Sequence, residues 1–169
     1  MKRKDLLLAV GVGLLLWYLV KQTSRFDVGT ASISDVAFTG SGIRINVKLP
    51  ILNRSDIPIP IDGFLGRLLY NGSEIGLLNL VQPITIAARG TSVPEFSTTI
   101  SYLGLAIGTP LLKLLNTLLR MGTGVSIPGI PDSEVVDINT LPALLRAMRV
   151  QGTLYVGGLG VDINQPLGV

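Results

Sequence analysis

From Ile43 to Ile51 every second residue is a branched aliphatic. Ile43, Ile45, Val47, Leu49 and Ile51 alternate with Arg44, Asn46, Lys48 and Pro50. A period of two places the apolar set on one face of an extended chain and the polar set on the other, a pattern that a helix cannot present. The segment therefore predicts a strand with one buried face, and that face requires a second layer to cover it.

The chain beyond it repeats the same grammar. Asn53-Arg54-Ser55-Asp56 is a turn cluster. Ile57, Ile59 and Ile61 then alternate with Pro58 and Pro60. Proline lacks the ladder donor, so this piece is expected as an edge strand or extended loop, open to strand addition by a partner. Phe64 to Tyr70 reads as a strand closed by Asn71-Gly72, the strongest short hairpin signal, with Glu74 to Leu78 returning. Pro83 to Ala88 is a further strand, and Arg89-Gly90-Thr91-Ser92 turns the chain. Val93 to Ser101 follows, with Phe96, Thr98 and Ile100 on one side. Val150 to Val161 reads as one long final strand in which Gly157, Gly158 and Gly160 mark a bulge or close backbone approach.

Two helices interrupt the strands. Thr109 is a good N-cap, Pro110 suits the first helical position, and the leucines from Leu111 to Leu119 form the apolar side of a helix over 110–121 ended by Gly122. Lys113, Asn116, Thr117 and Arg120 are assigned to its outer side. A shorter helix carries Pro142, Leu144, Leu145 and Met148 after Thr140, and residues 122–139 form a loop between the two. About seven short strands at this spacing predict a mainly β fold, an antiparallel β-sandwich of the immunoglobulin/fibronectin kind with one or two short helices.

The first 25 residues differ from the rest. They hold five of the 14 basic residues (Lys2, Arg3, Lys4, Lys21 and Arg25) and one acid, Asp5. Between Asp5 and Lys21 the run Leu6–Val20 is uncharged. As a helix it spans about 22 Å, short against a hydrocarbon core of about 30 Å, a shortfall that flanking lysines and local thinning accommodate. Three readings apply: an uncleaved transmembrane anchor, a cleaved secretory signal without a good cleavage site, or a buried helix. The first is adopted. Leu6, Leu7, Leu8, Leu14, Leu15 and Leu16 would face lipid, with Trp17 and Tyr18 at one interface. Three cations before the run against two after it favour a cytoplasmic N-terminus and a domain on the far side. The expected organisation is an anchor over 1–25 and a β-sandwich domain over 26–169.

Composition narrows the chemistry. The chain has no Cys and no His, which removes thiol nucleophiles, the Ser–His–Asp triad and most zinc sites. Beyond residue 25 there are nine basic and ten acidic residues, scattered together, so nucleic acid is not expected as a partner. Asp132, Glu134, Asp137 and Asn139 alternate along one loop, but the spacing is not that of an EF-hand and turn chemistry explains it equally well. Gly157-Gly158-Leu159-Gly160 lacks the spacing and the lysine of a phosphate loop. Asp35, Asp56, Asp62, Glu74 and Glu95 fall in turns or on exposed strand faces without forming a pair. No enzyme, metal or cofactor is expected.

The strand Ile43–Ile51, then Asn53 and Pro58, then Tyr70-Asn71-Gly72, Ile75-Gly76, Gly90-Thr91-Ser92 and Val150-Gln151-Gly152-Thr153-Leu154 resemble the late embryogenesis abundant type 2 family, whose domain is also called the water stress and hypersensitive response domain. Four residues separate Asn53 from Pro58, looser than the family's Asn-Pro-like turn. The resemblance covers roughly residues 26–162. It implies a fibronectin-like sandwich with one helix, often behind a single anchor, no catalytic residues, and roles in stress protection and binding at membranes.

These readings converge on a membrane-anchored, non-enzymatic sandwich that binds another protein or the membrane surface. Its partners are lipid through residues 6–20 and other proteins, copies of itself included, with Ile57, Pro58, Ile59, Pro60 and Ile61 as the expected partner edge. Two other jobs fit the same architecture: a structural membrane component of a larger assembly such as a lipid-containing virion or envelope complex, and a carrier holding a small apolar ligand between its sheets.

Overall fold

The computed structural model describes residues 26–101, 105 and 109–168. The strands are β1 (Phe26–Val28), β2 (Ser32–Thr39), β3 (Gly42–Lys48), β4 (Ile51–Asn53), β5 (Ile59–Tyr70), β6 (Ser73–Leu80), β7 (Ile84–Ile86), β8 (Thr91–Ser92) and β9 (Glu95–Ser101). Two helices, α1 (Pro110–Thr123) and α2 (Leu141–Arg146), precede β10 (Met148–Val156) and β11 (Leu159–Pro166). The fold is mainly β, and every pair of these strands is antiparallel. One sheet runs β11-β10-β5-β6-β9-β3-β2, with β7 added to β5; a small sheet runs β1-β4-β8. β6 joins β9 only through Asn79 and Leu80, so the large sheet turns there from the β5 group to the β9 group. Phe64 of β5 and Phe96 of β9 meet across that turn with ring centroids 4.6 Å apart and planes tilted by 53°, a favoured aromatic arrangement.

The alternation seen in the sequence is the core. Ile43, Ile45, Val47, Leu49 and Ile51 are all fully buried. The segment is nevertheless two strands. β3 ends at Lys48, and the chain passes to the small sheet at Ile51. Pro50, which lacks an N–H, stands at the crossover and gives its carbonyl to the Gly29 amide at 2.8 Å. The side-chain period survives a change of sheet because both sheets cover one interior.

The Asn71-Gly72 hairpin forms as expected between β5 and β6. Both residues have positive φ, 48° and 81°, which suits the turn to the twist of its strands. The long final strand does not form. Gly157 and Gly158, at φ 56° and 80°, make a two-residue turn, and β10 returns as β11 from Val156↔Leu159 to Arg149↔Pro166. Gly157 and Gly158 mark a hairpin there, where a bulge or close backbone approach within one long strand is expected from the sequence.

α1 starts as its sequence implies: the Thr109 hydroxyl accepts from the Leu112 amide. It runs past the expected end. Gly122 lies inside it, close to the Val36 carbonyl of β2, and the left-handed Gly124 (φ 76°) terminates it by donating its amide to the Arg120 carbonyl. The outer side assigned from the sequence is corrected too, since Asn116 and Thr117 are buried. The loop after α1 folds back over them. Asn116 Nδ2 donates to the Glu134 carbonyl at 2.8 Å and Oδ1 accepts from the Ile127 amide at 2.8 Å, while Thr117 Oγ1 accepts from the Val136 amide at 3.0 Å. Among the described residues no helix is long and apolar enough to cross a membrane. The expected anchor, Leu6 to Val20 with Trp17 and Tyr18, lies outside the described residues.

Candidate functional site

The most constructed polar feature of the surface lies where the described chain begins. β1 pairs antiparallel with β4, placing Phe26 opposite Asn53. Asn53 is fully buried and uses all four hydrogen-bonding positions of its amide. Nδ2 donates to the Ile57 carbonyl at 2.8 Å and the Ala87 carbonyl at 3.1 Å. Oδ1 accepts from the Ser55 amide at 2.9 Å and the Ser55 hydroxyl at 2.6 Å. The neighbouring turn is stitched to the same loop: the Asn53 amide donates to the Gly90 carbonyl at 2.8 Å and the Arg89 amide to the Ser55 carbonyl at 2.9 Å. Arg89 adopts a positive φ of 50° within this arrangement.

A buried asparagine thus holds the loops 54–58 and 87–90 side by side as one tip. The tip presents an apolar side chain on the same two loops as two paired cations. Ile57 is 43% exposed. Arg54 pairs with Asp27 of β1, and Arg89 pairs with Asp56. All four charged side chains are more than half exposed, so each pair contributes little to stability and leaves its guanidinium available to an external anion.

The expected partner edge is corrected in part. Ile59 and Ile61 are buried, and Ile59–Ile61 is the start of β5, paired with Ile86–Ile84 of β7. On its other side Ile61 registers with Val156, and the Pro60 carbonyl accepts from the Gly157 amide at 3.0 Å. The two prolines do not block this, because Pro58 precedes the strand and Pro60 still offers its carbonyl. Ile59, Pro60 and Ile61 are therefore not an open edge. Ile57 and Pro58 remain on the surface, as part of the tip.

The other sequence candidates separate. Asp132 accepts from the Ser126 hydroxyl at 2.8 Å and faces Arg120, Glu134 faces Lys113, and Asp137 accepts from the Asn139 amide at 2.8 Å. The three carboxylates turn to three different partners, and among the described residues no cluster of three or more potential ligands is arranged for a metal ion. The glycine turn at Gly157-Gly158 already holds an anionic group, since the Gly158 amide donates to Asp62 Oδ2 at 2.8 Å. Asp35 pairs with Arg44 and Glu74 with Arg67.

Sequence reading identified neither Asn53 nor Asn116 as a buried key. Asn53 was visible only as one member of a turn cluster. Asn116 stood among leucines, where an unfavourable helix former signals a tertiary partner. Two further surface features are apolar. Leu65 and Leu77 are exposed on adjacent strands beside a depression of about 410 Å³ that opens to solvent. A second depression of about 350 Å³ lies between β2 and the helices, lined by Val36, Leu118, Met121 and Leu145.

No curated protein matches the chain. A crystal structure of a protein from Archaeoglobus fulgidus aligns over 82% of this chain and 90% of its own length, at 12% identity and a TM-score of 0.44, too distant a likeness to carry an argument. Residues 48–131, from the end of β3 through the Asn53 tip, β5–β9 and α1 into the loop that packs on it, match the family model for late embryogenesis abundant protein. The chain belongs to the late embryogenesis abundant type 2 family.

Proposed function

We propose that this protein is a non-enzymatic β domain tethered to a membrane by residues 6–20, and that it acts by binding at the membrane surface or to a protein held there. The observation that carries this reading is the uncharged run Leu6–Val20, bounded by Lys2-Arg3-Lys4-Asp5 and Lys21, which enters the folded domain at Phe26 after only five intervening residues. The family is generally non-enzymatic, which supports the absence of a catalytic role. The charged surface supports it too. Six of the nine cations beyond residue 25 pair with carboxylates of the same domain, so the domain offers no extended basic face for a nucleic acid. The finer architecture in this reading is a fibronectin-like sandwich whose two layers meet at Phe64 and Phe96.

Alkaline carbonate extraction of membranes from cells making the full chain tests the tether. Retention in the membrane pellet is the expected result, and release into the supernatant would overturn it. The topology is read with Ser73→Cys, which places a single thiol in a cysteine-free chain at an exposed position. Labelling by an impermeant maleimide in intact cells is expected when the domain lies on the far side of the membrane.

A further inference from the structure

We propose that the Asn53-keyed tip is the part of the domain that touches lipid, with the Ile57 side chain entering the membrane interface and Arg54 and Arg89 at the depth of the headgroup phosphates. The proposal rests on the tether described above and adds the orientation of the domain and the residues that make contact.

Three observations lead to it. The first is reach. Phe26 follows Val20 by six residue steps, so it lies within about 22 Å of the end of the apolar run. The second is direction. β1 pairs antiparallel with β4 so that Phe26 is opposite Asn53, and the first residue of β1 therefore lies at the end of the sheet where the 54–58 loop starts. β5 starts beside this tip and runs for 12 residues, roughly 40 Å, to the Asn71-Gly72 turn, so the opposite end of the domain is beyond the reach of the tether when the domain stands upright. The third is the chemistry of the tip. The tip carries an exposed isoleucine on the same two loops as Arg54 and Arg89, whose solvated pairs with Asp27 and Asp56 can exchange for phosphate; this suits an interface that is apolar below and phosphate-rich above, where Arg stems lie along hydrocarbon and guanidiniums bond phosphate bidentately. Asn53 holds the Ile57 carbonyl and the Ser55 amide and hydroxyl inward, so these polar groups of the tip are already partnered when it meets the interface.

The absence of cysteine makes the test direct. Full-length Ile57→Cys, Ser73→Cys and Leu15→Cys proteins are each labelled with an environment-sensitive fluorophore. Each is reconstituted into vesicles of phosphatidylcholine containing a minority of phosphatidylglycerol, and circular dichroism verifies the fold. Quenching by spin-labelled lipids then reports depth. The expected result is deep quenching at position 15, shallow quenching with a blue shift and several-fold brightening at position 57, and no quenching at position 73. Quenching at 15 without quenching at 57 would overturn the proposal while leaving the tether intact. Equal quenching at 57 and 73 would overturn it in favour of a domain lying flat. No quenching at 15 would overturn both the tether and the contact that depends on it.

Discussion

Removing the Asn53 side chain isolates the polar key of the tip. Asn53→Ala deletes four hydrogen bonds: to the Ile57 and Ala87 carbonyls, and from the Ser55 amide and hydroxyl. The Ser55 hydroxyl lies 3.0 Å from the Ile57 carbonyl and can donate there instead, which restores one of them. About three net bonds are lost, at about 1 kcal/mol each, so the expected destabilisation is about 3 kcal/mol. For a domain of this size that lowers Tm by roughly 6–12 °C. Asn53→Asp sharpens the reasoning, because it keeps the oxygen that serves Ser55 and replaces the donor facing two carbonyls. An ionised carboxylate is repelled there, while a protonated one donates to one carbonyl. The introduced carboxyl thus has a folded-state pKa above its unfolded value of about 3.9. Its contribution is fully present below the unfolded pKa and is lost as pH rises through the folded one. The deficit of Asn53→Asp relative to the unaltered chain should therefore be small near pH 4 and large at pH 7. Thermal melts of the full chain in mild detergent, followed by far-UV circular dichroism at both pH values, measure it. A loss below about 1 kcal/mol for Asn53→Ala, or a pH-independent deficit for Asn53→Asp, would refute the account of Asn53 as the buried key.

Four further outcomes are expected. Asn116→Ala should cost about 2 kcal/mol, from two lost bonds, and should expose residues 125–139 to limited proteolysis, which mass spectrometry of the fragments reads directly. Gly152→Ala should cost about 2–3 kcal/mol, because a Cβ there would lie 2.4 Å from the Leu65 carbonyl oxygen and push β10 off β5; Gly63→Ala, whose Cβ meets nothing within 4 Å, should melt like the parent. Phe96→Ala should remove about 3–5 kcal/mol by emptying the contact with Phe64, measurable in the same melts. Arg89→Ala should change stability by less than about 0.5 kcal/mol, since its pair with Asp56 is largely solvated, and a larger loss in the melt would contradict that view.

Much of the tip was present in the sequence without being readable as a site. Asn53, Arg54, Ser55 and Asp56 form a turn in both views, yet the burial of Asn53 depends on Ala87 and Gly90, more than thirty residues away. The same holds for Asn116, whose partners lie in the following loop. The edge expected at Ile59–Ile61 failed for a related reason. Proline content reports which ladder bonds a strand lacks, yet Ile84–Ile86 pairs along one side of Ile59–Ile61 and the Gly157 amide reaches the Pro60 carbonyl on the other.

What the sequence determined by itself was local. The alternation of Ile43–Ile51 set an extended backbone and its buried face, Asn71-Gly72 set a hairpin, and Thr109-Pro110 set the start of α1, because each follows from dihedral preferences and side-chain period within a few residues. Tertiary structure decided the rest. It split the first strand between two sheets at Pro50, turned Gly157-Gly158 into a hairpin, and buried two asparagines by bringing distant carbonyls and amides to them. Strand partnership and the satisfaction of a buried amide are non-local, since a residue's own neighbours do not say which distant backbone will arrive opposite it.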